Sequence, residues 1–138
     1  MIGVDDATAR LREAGLRLTP QRRALLEELA GDTSHPSAES IAARVSRRVP
    51  GVSVSTVYKG LHELSSLGLI QELDLPGALR FDPETGSHAH LLCDSCATVV
   101  DVELDAALIE QLMVTAGDTA PASVDILFHG TCSDCSSR

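Results

Sequence analysis

Two cysteine pairs, Cys93-x-x-Cys96 and Cys132-x-x-Cys135, are the only cysteines in the chain, and they constrain its fold more than any other feature. A two-residue gap lets both thiolates of a pair reach one ion. Four thiolates suit a tetrahedral Zn2+ with no open position, which is a structural site. The rivals are a thiol switch and a disulfide. A redox Cys-x-x-Cys usually needs a thioredoxin-like βαβ context, which is missing here. Disulfides need an oxidising compartment. The N-terminal residues carry Asp5 and Asp6 and no basic-then-apolar leader, and no run approaches the roughly 18 apolar residues of a membrane span. A cytoplasmic setting without a membrane partner is therefore expected, and it keeps thiols free for metal.

The rest of the chain divides in two. Asp5 or Asp6 is expected to cap a first helix ending near Gly15. Thr19-Pro20 opens a second helix, with Pro at a position where its missing N–H costs nothing, and Leu25, Leu26 and Leu29 give it one apolar face. His35-Pro36-Ser37 starts a third, and Pro50-Gly51 breaks it. Ser53 caps a fourth, in which Val57, Leu61, Leu64 and Leu67 recur at helical spacing. Residues 69–75 and 79–82 around Pro76-Gly77 read as a β-hairpin. Short helices followed by a hairpin make a winged helix-turn-helix, with the fourth helix in the recognition position.

Glu84-Thr85-Gly86-Ser87 is polar and turn-prone, a natural hinge. Beyond it, 90–93 and 99–104 are expected as strands joined through the first cysteine pair. Residues 105–116 are expected as a helix with Leu108, Ile109 and Leu112 inward, and 123–130 as a strand alternating Val124, Ile126 and Phe128. The fold class is thus α+β: a winged-helix domain over 1–83 and a small C-terminal α/β domain over 84–138. The second is too small to bury its apolar faces alone, so dimerisation is expected.

His88-x-His90 precedes Cys93. Strand residues two apart share a side, so both imidazoles can converge on one ion, with Asp82 and Asp101 as nearby acids and His35 far back in sequence. Nitrogen and carboxylate donors suit Fe2+, Mn2+, Zn2+ or Ni2+, although a solvated histidine pair reads almost as well. The fourth helix carries Ser53, Ser55, Thr56, Tyr58 and Lys59 outside its apolar stripe. Hydroxyls and Lys suit phosphate, and Tyr58 suits a base edge or thymine methyl. The net charge of −9 opposes a nucleic-acid partner only on average. Residues 10–60 hold nine Lys/Arg against five acids, while 61–138 hold two against thirteen. A basic binding half and an acidic half with another task fit that asymmetry.

Four runs converge on one family. Gly15-Leu16-Arg17-Leu18-Thr19-Pro20-Gln21-Arg22, His35-Pro36-Ser37-Ala38, Ser55-Thr56-Val57-Tyr58-Lys59 and His88-x-His90-x-x-Cys93-x-x-Cys96 resemble, in order, the ferric uptake regulator family. The resemblance implies a homodimeric repressor of double-stranded DNA with a palindromic operator, a structural zinc at the four cysteines and a regulatory metal in the hinge. Its peroxide-sensing branch places the regulatory ligands at His35, Asp82, His88, His90 and Asp101, with Fe2+ or Mn2+ as the ion. Oxidation in that branch falls on the residue matching His35 or His88. Iron-sensing members typically carry Glu at the places of Asp82 and Asp101. They often add a further site whose places here read Ser87, Ala89, Leu108 and Val124, none of them a ligand.

Candidate DNA-binding residues are therefore Arg17, Gln21, Arg22, Ser53, Ser55, Thr56, Tyr58 and Lys59. Lys59 stands where Arg or Asn is common. Gly60 costs the recognition helix roughly 1 kcal/mol relative to Ala and is expected to remove a side chain from the DNA face. Other readings are an iron- or manganese-responsive uptake regulator, a cysteine thiol switch, or a non-haem metalloenzyme. Against the enzyme, no general base or nucleophile stands out beside the histidines.

Overall fold

Side-chain hydroxyls start three of the four N-terminal helices. In this computed structural model, which describes residues 3–86, 88–121 and 124–137, helix α1 spans Val4–Glu13, α2 Pro20–Leu29, α3 Ala38–Val45 and α4 Val54–Ser66. The hydroxyls of Thr19, Ser37 and Ser53 accept the backbone N–H three residues on, each satisfying one otherwise orphaned donor. The first helix departs from expectation. Its N-cap is Gly3 without a side-chain bond, and Asp5 and Asp6 lie inside the first turn, where their charge still favours the positive end of the helix dipole.

These helices and a hairpin form the first of two units, which ends at Thr85; the second begins at Gly86. Strand β1 (Gln71–Leu75) pairs antiparallel with β2 (Ala78–Asp82). Leu75 faces Ala78 across the Pro76-Gly77 turn, where Gly77 takes φ 85°, a value that β-branched or bulky residues resist. The core is aliphatic: Leu11, Leu26, Leu29, Ile41, Val45, Leu61 and Leu64 are fully buried, with Phe81 of β2 as the largest side chain among them. Phe81 meets the Tyr58 ring edge-on at 6.3 Å and donates its N–H to the Pro36 carbonyl at 2.9 Å. One aromatic thereby joins hairpin, recognition helix and the α2–α3 connection.

Gly60 corrects the sequence reading. A Cβ there would come within 2.7 Å of Leu25 Cδ1, so this face of α4 meets α2. The glycine permits the close approach of the two helices.

In the second unit, β3 (His88–Cys93) lies between β4 (Val99–Glu103) and β5 (Leu127–Gly130), antiparallel to the first and parallel to the second. Helix α5 (Ala106–Thr115) starts at Asp105, whose carboxylate accepts the Ala107 N–H. A short helix, α6 (Ser133–Ser136), follows. The turn residue Ser87 and the expected strand residue Ser123 lie outside the described residues.

Two expectations fail in this unit. The last strand begins only at Leu127, and Phe128 stands 46 % exposed; Leu108, expected inward, is 43 % exposed, and α5 buries no residue. The periodicity marked apolar faces, but among the described residues nothing fully covers Leu108 or Phe128. Truncating Phe81 to Ala should lower stability by about 3–5 kcal/mol, seen as an earlier urea midpoint. An unchanged midpoint would show that the aromatic does not tie the first unit together.

Candidate metal centres and nucleic-acid interface

The four cysteines come from two backbone segments held in parallel register. Cys93 ends β3 opposite Gly130 of β5, and the Asp94 N–H donates to the Gly130 carbonyl at 2.7 Å. The chain then turns so that the Ala97 N–H reaches the Cys93 carbonyl at 2.9 Å. Ala97 takes φ 61° to do so, a left-handed conformation costly for a residue with a Cβ. Cys132 caps α6 and donates its N–H to Cys93 Sγ at 3.3 Å.

All four sulfurs lie within 4.8 Å of one another, and none is in a disulfide. Cys96 Sγ and Cys132 Sγ are 3.8 Å apart. Four ligands about 2.3 Å from one Zn2+ define a tetrahedron with edges of about 3.8 Å, so this donor set fits zinc. The surroundings also favour thiolate. The Cys132 N–H lowers the Cys93 pKa to about 6, and the Thr98 hydroxyl holds Cys96 below its ordinary value. Cys135 is pushed up to about 12, first by Cys132 and then by Cys96. Gathered sulfurs cannot all ionise without a cation between them, and the divalent ion resolves that conflict.

Each unit contributes histidines and acids of its own. In the first, the α2–α3 connection is stitched onto β2. Ser37 bridges to Arg80, and Arg80 Nη1 donates to the His35 carbonyl at 3.1 Å. His35 is thereby held at φ 53°, a conformation uncommon outside glycine, though less so for His. Its Nε2 lies 3.3 Å from Asp82 Oδ2, and both side chains are almost fully buried. The other Asp82 oxygen accepts the Glu84 N–H at 2.9 Å.

In the second unit His90 faces Asp101 across the β3–β4 ladder. The Nε2 atoms of His88 and His90 each lie 3.4 Å from Asp101 Oδ1, and their rings are 4.5 Å apart. His88 Nδ1 sits 2.8 Å from the Gly86 carbonyl. A carbonyl only accepts, so Nδ1 carries hydrogen and Nε2 is left to face the carboxylate. Donors about 2.1 Å from one ion lie roughly 3.0–3.4 Å apart, so each group fits part of a nitrogen and oxygen coordination shell. Arg80 and Gly86 were missed in the sequence. The Gly86 bond is local to His88, but no local pattern links Arg80 to His35.

At the N-terminus of α4, Ser53, Ser55, Thr56 and Lys59 are exposed. The Ser53 hydroxyl serves chiefly as the helix cap. Tyr58 is half-buried against Phe81. Arg17 and Gln21 are exposed, but Arg22 is engaged, its Nε donating to Glu63 Oε1 and its Nη1 to the Arg17 carbonyl, each at 2.7 Å. His62 is on the surface beside Glu72 and His129 is exposed; neither joins a metal-ligand group among the described residues.

A winged helix joined to a sheet unit with thiolate and histidine–carboxylate groups defines a class, the metal-dependent DNA-binding regulators. Residues 13–126 match the Ferric uptake regulator family. The chain is 36 % identical to the Peroxide-responsive repressor PerR of Staphylococcus epidermidis, covering 96 % of this chain and 89 % of that one. The ferric uptake regulator Fur of Helicobacter pylori has the same fold, with a TM-score of 0.79 at 20 % identity over 98 % of this chain and 95 % of that one. PerR from Streptococcus pyogenes, described in terms of peroxide sensing and gene regulation, gives a TM-score of 0.54 at 26 % identity over 94 % of this chain and 90 % of that one. The chain belongs to the ferric uptake regulator family, whose regulators are DNA-binding dimers. No helix among the described residues is long and apolar enough to cross a membrane.

Replacing Cys93 with Ser should remove the bound Zn2+, about one per chain, and unfold or monomerise the protein. Metal analysis with sedimentation velocity measures both. A zinc-free variant that stayed a stable dimer would contradict the assignment.

Proposed function

We propose that this chain is a peroxide-responsive, metal-dependent repressor that acts on palindromic operators as a cytoplasmic homodimer. The observation that carries the reading is the convergence of His88 and His90 on one Asp101 oxygen, with His35 and Asp82 paired in the other unit. The similarity to relatives named peroxide-responsive repressors supports it. Aspartate at 82 and 101, where iron-sensing members typically carry Glu, points the same way.

Residues 1–83 are read as the DNA-binding half and 84–138 as the dimerisation half. Ser53, Ser55, Thr56, Tyr58 and Lys59 would meet the major groove, with Arg17 and Gln21 beside them. The exposed apolar side chains of Val100, Leu108 and Phe128 would be covered by the second copy. The cysteines would hold zinc and only build.

His35 and Asp82 together with His88, His90 and Asp101 would hold the regulatory Fe2+ or Mn2+. Donors drawn from both halves make the spacing of the two recognition helices depend on occupancy of the site, and a palindrome reads that spacing. Fe2+ held there would supply one-electron chemistry that splits the O–O bond of hydrogen peroxide, one oxygen passing to an imidazole and the other leaving as water, which Mn2+ would support poorly. The imidazoles of His35 and His88 are the side chains that would take up oxygen. A modified ring donates less well, so the shell weakens and DNA is released. His35 suits this role because its backbone is already held against its preference by Arg80.

Loading the protein with Fe2+ or Mn2+, adding peroxide and mapping added oxygen by peptide mass spectrometry tests the reading. Oxygen should appear on the peptides of His35 or His88 in the iron form alone. Loss of DNA binding with unmodified histidines would sink it. Asp101→Ala should remain a folded, zinc-loaded dimer whose DNA affinity no longer responds to Mn2+; a normal response in an anisotropy titration would remove Asp101 from the ligand set.

A further inference from the structure

Arg22 and Glu63 each sit at the wrong end of a helix. Arg22 is in the first turn of α2, where the helix dipole disfavours a cation, and Glu63 is in the last turn of α4, where it disfavours an anion. Local helix energetics therefore explains neither. They explain each other, because Arg22 Nε donates to Glu63 Oε1 at 2.7 Å while Nη1 donates to the Arg17 carbonyl at 2.7 Å.

Both side chains are partly buried, at 20 % and 32 % exposure, so the bridge is less screened than a pair in open solvent. Arg10 of α1 adds a second hold on the same end of α4, donating to the Leu67 carbonyl at 2.8 Å. Glu63 lies ten residues beyond the Ser53 cap, about 15 Å along the helix axis at 1.5 Å per residue. The turn proposed to enter the groove is thus at the opposite end from the bridge. Arg17 and Lys59, in contrast, are exposed and form no ion pair among the described residues.

We propose that Arg22 is a positioning residue and not a DNA contact: through Glu63 it fixes how the recognition helix presents Ser55, Tyr58 and Lys59. The inference rests on the proposed DNA-binding role of α4. The bridge locks α4 against α2 in rotation, and its loss leaves the phosphate-binding cations in place but misaligned with base edges. Sequence-specific binding suffers while non-specific binding does not.

The test uses the full-length, zinc- and Mn2+-loaded dimer and two fluorescent duplexes. One is selected from a random pool by the wild-type protein, and the other is of random sequence. Arg22→Gln should weaken binding to the selected duplex at least about tenfold, leaving random-duplex affinity and its salt dependence unchanged. The exchanged pair, Arg22→Glu with Glu63→Arg, places each charge at the end its helix dipole favours. It should recover selected-duplex affinity to within about threefold of wild type.

A phosphate contact behaves differently. Losing one per subunit would flatten the slope of log K against log salt by about 1.8 for the dimer, and the exchanged pair would not recover. Either that pattern or unchanged selected-duplex affinity in Arg22→Gln overturns the proposal. A wild-type protein that selects no duplex overturns the repressor reading instead, so the two failures are separate.

Discussion

The Cys132 N–H points at the Cys93 sulfur, and the Cys132 sulfur lies a tetrahedral edge away from that of Cys96. The whole second unit hangs on this knot. Its sheet has three strands, its helix buries nothing within the chain, and few of its side chains are fully enclosed. A domain that small cannot offset its chain entropy by apolar burial alone. A divalent ion among four thiolates supplies what the core lacks, and it does so where β5 must be held parallel to β3. On its other side β3 pairs antiparallel with β4, and that register sets His90 opposite Asp101.

The first unit is built on the opposite principle. Its core is large and mostly aliphatic, and its polar features are placed around that core. Phe81 closes the hairpin onto the helices, the Phe81 N–H and the Arg80 guanidinium bind the connection before α3, and His35 comes to rest beside Asp82. The His35–Asp82 pair, proposed as metal ligands, is thus a by-product of how the hairpin docks on its own unit. Charge is handled in the same way. Arg44 is tied to Asp32, and Arg48 to Glu27 and Glu28, so many of the basic residues that suggested a DNA-binding half are spent on holding helices together. Those left without an ion pair among the described residues, such as Arg17 and Lys59, would mark the proposed binding face more sharply than the net count does.

Much of this was legible in the sequence. Thr19-Pro20, Ser37 and Ser53 announced their helices because a hydroxyl cap is a local interaction, and Pro76-Gly77 announced the hairpin for the same reason. The cysteine quartet was legible because its spacing encodes ligand reach. The errors share a cause. Leu108 was assigned inward, and the last strand was begun too early at 123, because periodicity identifies an apolar face without saying what covers it. Gly60 was read as a gap at the DNA face, yet it is the place where α4 approaches Leu25 of α2. The pairing of Arg22 with Glu63 was not legible either, because a motif records residue type and not the partner of its side chain.

The sequence by itself determined the order of most elements, the caps of α2, α3 and α4 and the thiolate donors, which follow from local geometry and spacing, and its motifs resemble those of a metal-dependent regulator family. Only the tertiary structure decided which donors face one another: that His35 meets Asp82, that His88 turns Nε2 to Asp101 because Gly86 holds Nδ1, and that Arg22 belongs to Glu63. Such pairings join segments far apart in the chain, and their energies depend on distance and burial that no local pattern encodes. The four cysteines stand between the two. Their spacing announced a metal site, but that their sulfurs converge at tetrahedral distances is a property of the folded sheet.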